Sequence, residues 1–373
     1  MLPYLVAFTI SALFVQLAVA SARFGRLLQF TWCALSVLTI SALAGVRDYT
    51  VGTDVLVYGN QLFNSALRST DLGTYVMRSV REGIDGEYGY LFLNWLVSRF
   101  TNDVHWFYFV LALVAHGIVM TAVWLARRLQ PALPPTLVWL VYLFTQYVDS
   151  LNMLRQGVAL SLALLGLVLV LRRRPYLALV MGGIGLVFHN SAIVYFGIWG
   201  IVMLLQRVKR SMVWLAVILA GAVLLTVFSA QVLQLVTSLG IVSEKYTSYL
   251  AEGARTGASM GPQTMYRLVP LTAGLLMLRK PVNPAGRAAW LLLAIELVLL
   301  PMREIAYPLY RLLTYFAYAK VIAYPMIAMS FTTEARRRLA QVATVAFVAL
   351  YFILWVSKLD DVTYTSDILS HLF

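Results

Sequence analysis

Long apolar runs joined by short polar connections set the pattern of this chain. Runs near 2–20, 27–45, 104–126, 133–148, 152–171, 174–189, 192–205, 210–228, 266–279, 287–301, 309–330 and 338–357 are almost free of charge. Each is helix-length, and a helix needs about 20 apolar residues to cross a bilayer. The pattern predicts an all-α integral membrane protein of about 12 transmembrane helices, a single polytopic domain over 1–373. Two long connections interrupt it, 46–103 and 231–265, rich in charge, Gly, Ser and Tyr. Inside the first, Tyr88–Phe100 is apolar but only about 13 residues long, so it is expected to be an interfacial or re-entrant helix.

Composition agrees: 61% of residues are hydrophobic, 12% are charged, and mean hydropathy is +0.80. Soluble domains carry about 25% charged residues. The net charge of +13 would suit nucleic acid, but its distribution does not. With alternate connections assigned to one side, Arg23/Arg26, Arg127/Arg128, Arg172–Arg174, Arg207/Lys209/Arg210, Arg279/Lys280/Arg287 and Arg336–Arg338 fall together, facing one acid, Glu334. This is the positive-inside pattern. It places both termini and the long connections 46–103 and 231–265 on the outer face. Arg23 and Arg26 follow the first apolar run, whereas a signal peptide carries its positive charge ahead of that run, so the run is read as an uncleaved helix. The single Cys33 can form no disulfide within the chain.

Charges inside apolar runs cost roughly 2.5–3.5 kcal/mol each on insertion scales, so they mark function or pairing. Arg47, Arg155, Arg267, Arg303 and Arg311 all map to the outer half, beside Asp48, Asp54, Glu87 and His189. Guanidinium forks suit bidentate binding of phosphate oxygens. Asn152, Arg155 and Gln156 share a helix face, and Tyr307, Arg311, Tyr315 and Tyr318 form a stripe on another. Glu296 and Lys320 fit a structural ion pair. Two roles stay open for Asp54: proton acceptor, or loop-ordering partner of Arg47. No His/Cys cluster suggests a metal, and no Gly-rich loop suggests a nucleotide.

Several segments resemble one family. Gly45-Val46-Arg47-Asp48-Tyr49-Thr50-Val51-Gly52-Thr53-Asp54 with Tyr58, Glu87-Tyr88-Gly89-Tyr90, Asn152 to Ala159 around Arg155-Gln156, Phe188-His189-Asn190-Ser191-Ala192, and Arg311 with Tyr315-Phe316 stand in the order of the EpsG-like, Wzy-type polysaccharide polymerases. The resemblance implies a GT-C-like glycosyltransferase in the bacterial inner membrane, its active site facing the periplasm. Its substrate would be undecaprenyl-diphosphate-linked oligosaccharide, as donor and as acceptor, with no cofactor and no metal. A flippase and a chain-length regulator would be its partners. The expected roles are diphosphate binding by Arg47, Arg155, Arg267, Arg303 and Arg311, and base catalysis by Asp54, Glu87 or His189. Saccharide contact is expected from Tyr58, Asn152, Gln156 and Tyr315. A carrier of lipid-linked saccharide, or a sister ligase, would use similar residues.

Overall fold

A computed structural model describes residues 1–84, 86–130, 133–207, 211–228, 231, 234, 235, 238, 261–278, 284–300, 307–354, 359 and 363–370. Arg303, Glu304 and most of the 231–265 connection lie outside the described residues. Among the described residues every regular element is helical. In chain order they are α1 Leu2–Ala20, α2 Arg26–Gly45, α3 Asn60–Leu67, α4 Leu72–Arg81, α5 Tyr88–Ser98, α6 Val104–Ala126, α7 Pro135–Thr145, α8 Tyr147–Asn152 and α9 Leu154–Leu171. There follow α10 Pro175–Phe188, α11 Ile193–Arg207, α12 Ser211–Val227, α13 Gly261–Leu278, α14 Pro284–Leu299, α15 Tyr307–Ala317, α16 Lys320–Ala328, α17 Glu334–Leu354 and α18 Asp367–Ser370.

Among the described residues, five helices are long and apolar enough to cross a membrane: α1 (with the turn that follows it), α2, α6, α9 and α17. Shorter apolar helices include α7 and α10. Two expected single runs are broken. The run 133–148 divides at Gln146 into α7 and α8. The run 309–330 bends between α15 and α16, where Ala319, Val321 and Ile322 donate to carbonyls three residues back. Pro325 follows one turn later; it has no N–H for the Val321 carbonyl and crowds it, which tightens the preceding turn. The expected tyrosine stripe therefore ends at Tyr315. Tyr318 sits in the bend and packs edge-on to Tyr142.

Helix α9 is the centre of the fold, with all 18 of its residues buried. It packs against α6, α10 and α11. Lipid tails are as apolar as leucine, so such helices gain from close van der Waals fit and polar cross-links rather than from hydrophobic burial. The α1–α2 hairpin has one such link: Ser11 and Ser36 donate to each other's carbonyls, and Trp139 of α7 donates to the Ser11 hydroxyl at 2.9 Å.

The connection 46–103 is an ordered cap. Its helices α3, α4 and α5 enclose a small core of Phe63, Tyr75, Tyr90 and Leu91 against Phe107 of α6. With 11 residues, α5 is about 16 Å long, half the hydrocarbon thickness. The end of α2 and the start of the cap are both pinned to residues 364–367. Tyr364 donates to the Leu43 carbonyl at 2.9 Å, and Asp48 accepts the Asp367 N–H at 2.8 Å. Residues 47–54 then lie across the α8–α9 junction. Arg47 donates to the Leu151 carbonyl at 3.0 Å, the Thr53 N–H donates to Asn152 Oδ1 at 2.7 Å, and the Leu154 N–H donates to Asp54 Oδ2 at 3.1 Å.

Gly52 makes this docking possible. Its φ is +99°, and a Cβ there would lie 2.5 Å from the Leu151 carbonyl oxygen. Gly52→Ala is expected to lower the melting temperature of the purified protein markedly, by a conformational cost of about 1–3 kcal/mol plus displacement of the loop. Gly83→Ala, also at positive φ but in open space, carries only the first part. Equal melting temperatures for the two variants would show that the loop is not seated on α8–α9.

Candidate active site

Five segments converge at one level of the bundle: the docked loop, the start of α5, the start of α9, the end of α10, and α15. The helix break at Met153 creates the meeting point by giving α9 a free N-terminus. Met153 provides no side-chain cap there. Asp54, a hundred residues earlier, supplies the missing acceptor through Oδ2, and the helix dipole favours that negative charge. Its other oxygen, Oδ1, pairs with Arg311 of α15 at 3.1 Å. Arg47 is thus not the partner of Asp54. It is 1% exposed, set beneath the loop on the Leu151 carbonyl, with its guanidinium 5.2 Å from the Tyr108 ring centre.

Arg155, in the first turn of α9, pairs with Glu87 at 2.5 Å. Tyr58, in a π-turn over Val55–Gly59, sets its ring under the guanidinium at 4.0 Å. The Arg155 Nε–H is buried without a hydrogen-bond partner. Glu87 reaches its place because Gly86, at φ +77°, lets the chain approach Asn190; a Cβ there would lie 2.6 Å from the Asn190 side-chain oxygen. Burial pushes the Glu87 carboxyl above the usual carboxylate range, with Arg155 pulling against that shift.

His189 ends α10 in an extended conformation, its Nε2 3.4 Å from the free oxygen of Glu87. The Ser191 backbone N–H donates to His189 Nδ1 at 3.1 Å, so Nδ1 carries a lone pair. In the neutral ring the proton then resides on Nε2, facing Glu87. The Ser191 hydroxyl is 2.7 Å from Nδ1 and 3.0 Å from the Tyr315 hydroxyl.

The structure therefore brings Asp54, Glu87, His189, Arg155, Arg311, Tyr58 and Tyr315 into one cluster. Asn152 and Gln156 border it, engaged in framework contacts: Asn152 with Thr53, and Gln156 donating to the Arg311 carbonyl at 2.6 Å. Arg267 stands elsewhere. It bonds Glu296 at 2.7 Å, and the same carboxylate oxygen takes Lys320 at 2.9 Å. The expected Glu296–Lys320 pair is thus one edge of a buried triad. Ser191 was not among the candidate residues, although its position two places after His189 is the spacing of a backbone-to-ring hydrogen bond. Nor were Gln146 and Asp149, whose signal was polarity at the end of an apolar run. Among the described residues no group of three or more His, Cys, Asp or Glu side chains is placed to hold a metal.

The arrangement offers the unfilled Arg155 Nε–H and a helix N-terminus beside two carboxylates and an imidazole. It can hold an anionic group and accept a proton next to it. Comparison with known proteins returns a family model, described as the EpsG family, matching residues 30–368. No curated protein and no solved structure matches. A match over most of the chain, on an all-helical scaffold with several membrane-length helices, makes this a membrane protein of the EpsG family, whose members are Wzy-type polysaccharide polymerases.

Proposed function

We propose that this protein is a glycosyltransferase of GT-C-like architecture, with about a dozen crossings of the bacterial inner membrane and its active site facing the periplasm. It moves a growing glycan from undecaprenyl diphosphate onto the next lipid-linked repeat unit. The observation that carries the reading is the two ion pairs, buried Arg155–Glu87 and part-buried Arg311–Asp54, at the N-terminus of α9.

Chemically, the bond between the donor sugar's anomeric carbon and the diphosphate oxygen breaks as an acceptor hydroxyl oxygen bonds to that carbon. Charge builds on the departing diphosphate. Arg155 and Arg311 each bond a carboxylate, and Arg155 keeps a buried Nε–H without a partner that suits a phosphate oxygen. The positive end of α9 adds to their field. Donors aimed at charge that develops in the transition state accelerate the step most. Arginine here takes the part that a divalent ion plays in other glycosyltransferases.

Among the three candidate bases, Glu87 fits best. Both oxygens of Asp54 are engaged, one by the α9 N-terminus and one by Arg311. His189 presents its protonated nitrogen to Glu87, which suits orientation of the carboxylate rather than uptake of a proton. Glu87 has one oxygen on Arg155 and one toward His189, and its raised pKa brings it nearer the working pH. As diphosphate engages Arg155, Glu87 is released to take the acceptor's proton.

Purified protein in nanodiscs with an undecaprenyl-diphosphate-linked repeat is expected to yield a ladder of longer lipid-linked glycans, undiminished by excess chelator. Arg155→Ala should reduce turnover by about 10²–10³-fold while the protein stays folded, and Arg155→Lys should recover only part of it. Passage of the lipid across a sealed vesicle without a ladder would make the protein a carrier.

The pH dependence separates the bases. Glu87 must be ionised to act, so kcat/KM should rise with pH through a limb set above the ordinary carboxylate value. Asp54→Asn should retain that limb, and Glu87→Gln should lose it along with most activity. A limb that persists in Glu87→Gln would assign the base elsewhere.

A further inference from the structure

A second polar chamber lies across α15 from the arginine cluster. Arg311 and Tyr315 reach the cluster from one face of this helix, while Leu313, Thr314 and Ala317 line the chamber from another. The chamber measures about 80 Å³, and none of Asp54, Glu87, Arg155 or His189 borders it. That volume holds several waters or one small polar ring.

The lining specifies what would fill it. Glu296 is 2% exposed, and both of its cations bond the same oxygen, Oε1. Oε2 is buried with no hydrogen-bond partner. Gln146, 1% exposed, stands on the same chamber with its side-chain oxygen equally unpartnered. Buried polar atoms are almost always satisfied, so two orphan acceptors on one cavity call for a molecule that brings donors.

Arg267, Lys320, Glu296 and Asp149 are the charged residues on the chamber. Four of the other lining residues are aromatic, Phe144, Tyr266, Tyr351 and Phe352, with Tyr266 and Tyr351 stacked at 3.6 Å between ring centres. Apolar ring faces with a few buried acceptors suit a neutral, hydroxyl-bearing ring.

We infer that this chamber is a saccharide subsite, in which Glu296 Oε2 and Gln146 accept hydroxyl hydrogen bonds from one sugar unit of the glycan being extended. The inference rests on the polymerase reading and adds to it a place where the chain is gripped away from the reacting bond. Arg267 and Lys320 then serve to hold Glu296 in register rather than to bind diphosphate.

The test titrates protein in nanodiscs with the lipid-free oligosaccharide released by mild acid from the native lipid-linked repeat, read by saturation-transfer NMR. Wild type should bind it saturably. Gln146→Leu, which leaves the ion triad intact, should weaken binding by about tenfold or more. Glu296→Gln should do likewise if the protein folds. Absence of saturable binding, or equal affinity in Gln146→Leu and wild type, would overturn the subsite and leave the chamber to water. The ladder assay separates the two readings. A ladder without saccharide binding sinks the subsite alone, whereas binding without a ladder sinks the polymerase reading and leaves the subsite standing.

Discussion

A charged side chain buried in an apolar bundle needs charged or polar partners within the bundle, and this requirement organises the described part of the molecule. Removing one partner of a buried pair leaves an uncompensated charge at a cost of roughly 3–5 kcal/mol. Here the partners are distant in sequence. Glu87 and Arg155 are 68 residues apart, and Asp54 and Arg311 are 257 apart. Each pair therefore fixes how the cap and α15 sit on α9. The third grouping, Arg267–Glu296–Lys320, ties α13, α14 and α16 together in the same way. The charges proposed to serve the chemistry also hold the scaffold, which limits how freely either can vary.

The second organising feature is a helix that stops and restarts. Between Asn152 and Leu154 the chain leaves helical geometry, with Met153 at ψ +73°. That break exposes the last carbonyls of α8 and the first N–H groups of α9 deep in the fold. The loop 47–54 satisfies both ends: Arg47 takes the Leu151 carbonyl and Asp54 takes the Leu154 N–H. A continuous helix through this region would have no use for either charge. The gap supplies the field at the site, and the loop that fills it delivers Asp54, Tyr58 and, farther on, Glu87.

Much of this was legible in the sequence, for physical reasons. Hydrophobic run length predicts helices because membrane-length helices have one composition wherever they pack, and most predicted runs coincide with observed helices. The polar residues in or beside those runs were conspicuous because each is expensive, and Arg155, His189 and Arg311 do meet. Pairing was not legible. In the sequence Asp54 reads as a partner for nearby Arg47, whereas the docking of the loop on α8–α9 gives it to Arg311. Arg267 looked like Arg155 by composition, yet Glu296, shared with Lys320, claims it. The breaks at Gln146 and Met153 leave no strong signal, since neither residue is Gly or Pro. The bend ahead of Pro325 did carry one, at a proline inside an apolar run.

The central claim is that Arg155 and Arg311 form a diphosphate site. The most direct measurement compares the affinity of undecaprenyl diphosphate with that of undecaprenyl monophosphate, for wild type and for the folded double variant Arg155→Ala/Arg311→Ala in nanodiscs. The account predicts that wild type binds the diphosphate more tightly and that the double variant loses this preference. A preference of the same size in both proteins would contradict it and place the diphosphate elsewhere in the molecule.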